Sequence, residues 1–178
     1  MRVGVLALQG AFAEHVARLR AFGVEAREVR TEQDAEGLDG LVLPGGESTA
    51  QRRLLSDALA ARLDALVSSG APVLATCAGV ILAADRGWLD VDVERNAYGR
   101  QLHSAEAVAD DGTRLVLIRA PRVTRVGPGV EVIARLGDDP VLLRQGAIVA
   151  ATFHPELTDD LRVHALTFGG TDRVRRAS

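Results

Sequence analysis

Lysine is absent from this chain of 178 residues, and all 21 basic side chains are arginine. Any mechanism that needs an amine side chain, such as Schiff-base chemistry, is therefore excluded. Cysteine occurs once, at Cys77, so neither an intrachain disulfide nor a multi-cysteine zinc site can form. Aromatic residues make up only 3% of the chain, which leaves Val, Leu, Ile and Ala to build the core. Neither sign of charge dominates: 24 acidic side chains are interspersed with the basic ones, for a net charge of −3. That balance offers no electrostatic footing for nucleic acid or an anionic membrane. No apolar run is long enough to span a bilayer. The apolar stretch Met1 to Gly10 is short and passes at once into a polar helical pattern, so it reads as a buried strand rather than a signal peptide. The expectation is a cytoplasmic protein with a reduced thiol.

What is present is an alternation of strand-like and helix-like segments. Val3 to Leu8 is a near-continuous apolar run, as suits a strand buried on both faces. Ala11 to Phe22 places Phe12, Val16, Leu19 and Phe22 on one helical stripe, with Gly23 as a stop. Strands are predicted over Val24 to Val29, Leu41 to Leu43 and Val73 to Thr76. A helix carrying Leu54, Leu55, Leu59, Leu63 and Leu66 precedes the last of these and ends near Gly70, with Ser48 or Thr49 as its cap. Another helix follows Cys77 to about Asp85. Beyond Trp88 the pattern changes to short β-like runs at Ala105 to Val108, Leu115 to Ile118, Val130 to Leu136 and Ala147 to Thr152. A last helix starts at Thr158-Asp159-Asp160, runs through Phe168 and is ended by Gly169-Gly170. The predicted fold class is α/β: a doubly wound three-layer sandwich with a mostly parallel central sheet and added antiparallel strands in the second half. Residues 1–170 are expected to form one domain, followed by a polar tail over 171–178.

In such a sheet ligands bind outside the carboxyl ends of the strands. Three loops are expected there: Gln9-Gly10, Pro44 to Thr49, and Cys77 to Gly79. Cys77 sits where an apolar run turns through small residues into a helix, a corner that exposes a side chain beside helix N-terminal amides. The Ala78 amide would face an oxygen on the carbon under attack. An inert buried thiol is the competing reading. His154-Pro155-Glu156 follows a predicted strand. On an extended segment the two side chains point the same way, so Glu156 can orient the imidazole of His154; a solvated surface turn is the alternative. Gly45-Gly46 allows close backbone approach to a ligand, although an ordinary loop would look the same. The Walker spacing and its lysine are missing, as is a Gly-x-Gly-x-x-Gly fingerprint. His15 lies in the first helix and is expected to be partly exposed. His103 and His164 have no partner at metal-ligand spacing, so no metal and no cofactor is assigned.

Taken together, these residues resemble the triad-type glutamine amidotransferases, and among them the glutaminase subunits of pyridoxal 5′-phosphate synthases. The resemblance is carried by Gly4-Val-Leu-Ala-Leu-Gln9-Gly10, Leu43-Pro-Gly-Gly-Glu-Ser-Thr49, Thr76-Cys-Ala-Gly79, Val93-Glu-Arg-Asn96, Gly99-Arg-Gln101, Ile118-Arg-Ala-Pro121 and Phe153-His-Pro-Glu-Leu-Thr158. It implies a flavodoxin-like amidotransferase fold with Cys77 as nucleophile, His154 as base and Glu156 as its orienting acid. Gly46, Glu47, Ser48, Arg95, Ile118 and Arg119 would bind L-glutamine, and an arginine fork suits its carboxylate. Gly45, Gly46 and Ala78 would form the oxyanion hole. Gln9 and Gly10 would belong to a loop that responds to the partner. That partner is implied to be a (β/α)8-barrel synthase subunit that uses the ammonia to make pyridoxal 5′-phosphate. Two departures stand out: Ala75 replaces a usual glycine, the smallest change that could crowd the corner, and the stretch between Cys77 and Arg95 is short. A scaffold subunit without activity and a γ-glutamyl hydrolase are the alternative functions.

Overall fold

The computed structural model describes residues 1–95, 97 and 104–169. The motif residues Asn96 and Gly99 to Gln101, His103, the expected stop at Gly170 and the tail over 171–178 lie outside the described residues. The first half alternates as expected: β1 (Arg2–Leu6), α1 (Phe12–Ala21), β2 (Glu25–Val29), β3 (Gly40–Leu43), α2 (Ser48–Leu54), α3 (Asp57–Ser68), β4 (Val73–Thr76) and α4 (Ala78–Asp85). The second half holds β5 (Val91–Glu94), β6 (Ser104–Val108), β7 (Arg114–Ile118), β8 (Arg122–Val126), β9 (Glu131–Leu136), β10 (Asp139–Gln145), β11 (Ile148–Ala151) and α5 (Arg162–Phe168).

The main sheet has seven strands in the order β2-β1-β3-β4-β11-β10-β9. Strands β2 to β11 in that order run parallel, and β10 and β9 add on antiparallel. Every residue of β3, β4 and β11 is buried, which explains why those segments read as unbroken apolar runs without alternation. Two apolar clusters cover the sheet, one on each side. One includes Val16 and Leu19 of α1 with Val163 and Phe168 of α5. The other includes Leu59 and Leu63 of α3 with Val80 and Leu82 of α4. The result is the doubly wound three-layer sandwich.

Several expectations are corrected. The single helix expected between Thr49 and Gly70 is two helices. Leu55 is extended, with ψ of 107°, and Ser56 caps α3 by accepting from the Leu59 amide at 3.2 Å. Leu54, expected on the same helix as Leu59 and Leu63, is consequently 56% exposed. The cap of α2 is neither Ser48 nor Thr49. Glu47 accepts from the Thr49 and Ala50 amides at 2.9 and 2.8 Å, because a carboxylate matches two unpartnered amides at the positive end of a helix. In the second half, β11 pairs parallel with β4 rather than antiparallel. Strands β5 and β8 form one separate antiparallel ribbon, and β6 and β7 another. Pro155–Leu157 form a short 3-10 turn, and α5 begins at Arg162, later than expected. The methyl of Ala75 is fully buried within the second apolar cluster.

The position of α4 depends on one glycine. A Cβ on Gly79 would fall on the Leu43 carbonyl at the end of β3, a backbone group that cannot swing aside. Gly79→Ala is therefore expected to cost about 1–3 kcal/mol of stability through overpacking. Urea denaturation monitored by circular dichroism measures this, and an unchanged midpoint would refute the close contact.

Candidate active site

The register between β4 and β11 builds the site. Thr76 stands opposite Ala151, and the Cys77 amide donates to the Ala151 carbonyl at 2.8 Å. The first residues beyond each strand are thereby brought side by side. Cys77 takes φ of 46° and ψ of −109°, an unusual conformation for a residue with a side chain, and α4 begins at the next residue. Such a conformation costs on the order of 1–3 kcal/mol and persists only where surrounding contacts enforce it. Here they are the Ala151 hydrogen bond on one side and the packing of Gly79 against β3 on the other. Ala78 opens α4, so its amide has no partner within the helix. Cys77 is 5% exposed, and its Sγ lies 3.8 Å from the Ile118 carbonyl.

His154 follows β11, and its amide donates to the Val116 carbonyl of β7 at 2.9 Å. Its Nδ1 is 2.7 Å from Oε1 of Glu156. The imidazole lies beside Cys77: the ring and the Cys77 Cβ both border Gly45, and the thiol raises the pKa of His154. With Nδ1 held by Glu156, the nitrogen serving the thiol is Nε2. The dyad does not arise from an extended segment: Glu156 lies in the 3-10 turn Pro155–Leu157, and that turn folds its carboxylate back to the ring. Helix α1 braces this turn. Arg18 Nε donates to the Glu156 carbonyl at 3.2 Å and Nη1 to Asp159 at 2.8 Å.

Burial pushes the pKa of His154 down, but hydrogen bonds to Cys77 and Glu156, together with their charges, overcome it and raise the value to about 10. Burial likewise opposes ionisation of Glu156, and the neighbouring imidazoles and the His154 hydrogen bond turn the net shift downward. Glu156 is thus a carboxylate facing an imidazolium. Complete burial pushes the pKa of His15 down, so its imidazole is neutral.

The loop after β3 closes over this pair. A Cβ on Gly45 would fall on the His154 ring, so only glycine fits there. The loop is tied to the segment after β1: the Ala11 amide donates to the Gly45 carbonyl at 3.0 Å, and the Glu47 amide donates to Oε1 of Gln9. Gly10, with φ of 103°, passes so close to the Gly45 carbonyl that no side chain could be placed on it. Gln51 Nε2 reaches the carbonyls of both Gln9 and Pro44, at 3.2 and 2.9 Å.

A cavity of about 420 Å³ opens onto Cys77 and His154. Its lining includes the sequence-predicted residues Gln9, Gly46, Glu47, Ser48, Ala78, Arg95, Ile118 and Arg119. Gly10, Gly45 and Glu156 do not line it; they stand behind the residues that do. The Glu47 carboxylate is occupied in capping α2, and those amides keep its pKa low with help from Arg119. Arg95 approaches Thr49 Oγ1 at 3.4 Å and Asp85 at 3.9 Å. Arg119, like Cys77, has positive φ, 47°. Sequence reasoning missed Thr49, Ile81 and Pro121 in the lining. It also missed His15, which is fully buried and not partly exposed as expected. His15 is three residues after Phe12 and four before Leu19, on the apolar stripe of α1, and that spacing was the available signal. Among the described residues there is no cluster of His, Cys, Asp or Glu that could hold a metal, and no helix long and apolar enough to cross a membrane.

The crystal structure of a glutamine amidotransferase superposes with a TM-score of 0.88 at 45% identity, covering 94% of this chain and 97% of that one. Fold and site together thus define a protein of the glutamine amidotransferase class. Within it, the chain belongs to the SNO glutamine amidotransferase family, whose model matches residues 5–169. The pyridoxal 5′-phosphate synthase subunit PdxT of Thermotoga maritima is 48% identical, over 92% of this chain and 96% of its own length. The PdxT of Parafrankia sp. is 51% identical, over 93% and 90% respectively.

The elevated value at His154 has a signed consequence. Because the folded value lies above the ordinary 6.5, the stabilisation from its proton is complete below pH 6.5 and is lost as pH rises through about 10. Histidine NMR should show His154 titrating near pH 10, and Glu156→Gln should move that midpoint down by removing one partner that raises it. A wild-type midpoint near 6.5 would contradict the thiol–imidazole–carboxylate arrangement.

Proposed function

We propose that this chain is the glutaminase of a pyridoxal 5′-phosphate synthase, hydrolysing L-glutamine to L-glutamate and ammonia at Cys77. The observation that carries the reading is the buried Cys77–His154–Glu156 constellation at the floor of a cavity flanked by arginines. The amidotransferase relatives supply the substrate class.

The geometry lends itself to the following sequence. The substrate carboxylate meets the guanidinium groups of Arg95 and Arg119, which brings the side-chain amide to Cys77. The Cys77 sulfur, as thiolate, attacks the amide carbon, and the carbonyl oxygen becomes an oxyanion. Amides of Ala78 and of the Gly45-Gly46 loop stabilise that charge, a role suited to donors that are already in place. His154 gives its proton to the amide nitrogen, the carbon–nitrogen bond breaks, and ammonia leaves a thioester. Neutral His154 then takes a proton from water as the water oxygen attacks the thioester. The carbon–sulfur bond breaks, glutamate departs, and the thiolate–imidazolium pair is restored. Glu156 keeps Nδ1 protonated throughout and balances the positive ring, so Nε2 alone exchanges the proton.

Residues 1–170 act as one amidotransferase domain in this reading, and ammonia is delivered to a separate (β/α)8-barrel synthase subunit. The hydrogen bonds that tie Gln9 and Ala11 to the Gly45-Gly46-Glu47 loop, with Gly10 packed between them, give the partner a handle on the oxyanion hole. The setting is the cytoplasm, where the single thiol stays reduced.

Glutamate release measured with and without the synthase subunit tests the proposal. Cys77→Ala should abolish turnover in the complex, and full activity in that variant would overturn the mechanism. Arg119→Leu should raise KM for glutamine about tenfold or more, with a smaller change in kcat, as expected when a bidentate carboxylate contact is removed.

A further inference from the structure

Behind the proposed triad lies a second, wholly buried row of polar side chains that the reaction sequence above does not use. His15 of α1 and His164 of α5 are both 0% exposed, and their facing nitrogens, Nδ1 and Nε2, are 3.4 Å apart. The other nitrogen of His15, Nε2, stands 3.0 Å from Thr76 Oγ1 and 3.3 Å from Oε2 of Glu156. No well-aligned hydrogen bond reaches that carboxylate oxygen, and His15 Nε2 is its polar neighbour. A buried carboxylate oxygen without a donor is costly. A polar residue on the apolar stripe of α1 is also costly unless it meets a partner.

The protonation pattern follows from chemistry. If His15 carried its proton on Nδ1, the lone pair of Nε2 would face the Glu156 carboxylate at 3.3 Å, which is repulsive. Protonated on Nε2, the ring gives one N–H shared between Oε2 of Glu156 and Oγ1 of Thr76. Nδ1 then accepts from Nε2–H of His164. His164 is left with an unpartnered Nδ1 lone pair, and that atom has no hydrogen-bond partner in the structure. The charged groups facing His15 are Glu156, His154 and Glu14, with neutral His164 beside it. Burial lowers the pKa of both His15 and His164, the latter to about 3, so neither competes with His154 for the proton.

We infer that His15, as the neutral Nε2–H tautomer, is a positioning residue for catalysis: it holds the second oxygen of Glu156 so that the first keeps Nδ1 of His154 aligned. Through Thr76, the residue before Cys77, the same N–H also touches the corner that presents the nucleophile. His164 fixes the tautomer of His15 from the other side. The inference rests on the triad reading above, and its test separates the two.

The experiment uses the glutaminase–synthase complex with glutamine as substrate, beside Cys77→Ala. His15→Leu removes the donor, and His15→Gln restores one amide N–H near the position of Nε2. His15→Leu should lower kcat about 10–100-fold, the effect of losing a hydrogen bond to a charged group, with KM nearly unchanged. His15→Gln should recover a large part of that loss. Turnover in Cys77→Ala would overturn the triad reading. An inactive Cys77→Ala with wild-type kcat in folded His15→Leu would overturn this inference alone, as would equal losses in Leu and Gln variants. Should His15→Leu fail to fold, nitrogen-15 NMR of the wild-type histidines decides: a neutral Nε2–H His15 supports the inference, and an Nδ1–H or charged ring overturns it.

Discussion

The parallel pairing of β4 with β11 is the constraint on which the site depends. A register in which Ala75 meets Ala150 and Thr76 meets Ala151 leaves Cys77 and the Thr152-Phe153-His154 segment emerging together from the sheet. A slip of one residue would turn every side chain to the opposite face. The register is protected because all four residues of each strand are buried, so any slip exchanges one apolar cluster for the other. On the far side of β4, β3 ends in register at Leu43, which delivers the Gly45-Gly46 loop to the same edge.

Around that edge, charge is arranged in layers of differing polarity. The His154–Glu156 dyad beside the thiol forms a compact charged unit in a place where burial opposes both of its ionised forms. It is stable there because each charge faces its opposite at hydrogen-bond distance, the condition under which buried ions persist. The next shell, His15, His164 and Thr76, is uncharged, and it supplies directional hydrogen bonding without a competing site for the proton. Toward solvent, Arg95 and Arg119 give the cavity mouth a positive lining suited to an anionic group.

Much of the fold was legible in the chain. Short apolar runs of three to six residues marked β1, β3 and β4, since a strand buried on both faces admits little else. The cysteine corner and the His-Pro-Glu segment were recognisable because their chemistry needs those residue types in that order. Other features were not legible. The break at Leu55-Ser56 was hidden by a leucine periodicity that continues across it. The cap at Glu47 was masked by the better capping residues that follow it. His15 was expected to be partly exposed, although its place on the α1 stripe indicated the core.

By itself the sequence determined the alternation of elements, the aliphatic core and the identity of the reactive groups, because these follow from local periodicity and side-chain chemistry. Only the tertiary structure decided which of those groups meet. Cys77 and His154 lie far apart in the chain and are joined by strand register, and Glu156 reaches the imidazole through a 3-10 turn rather than along a strand. His15 and His164 come together from helices near opposite ends of the described chain, packed on one face of the sheet. Contacts of that kind depend on closure of the whole core, and local sequence carries no period or spacing that specifies them.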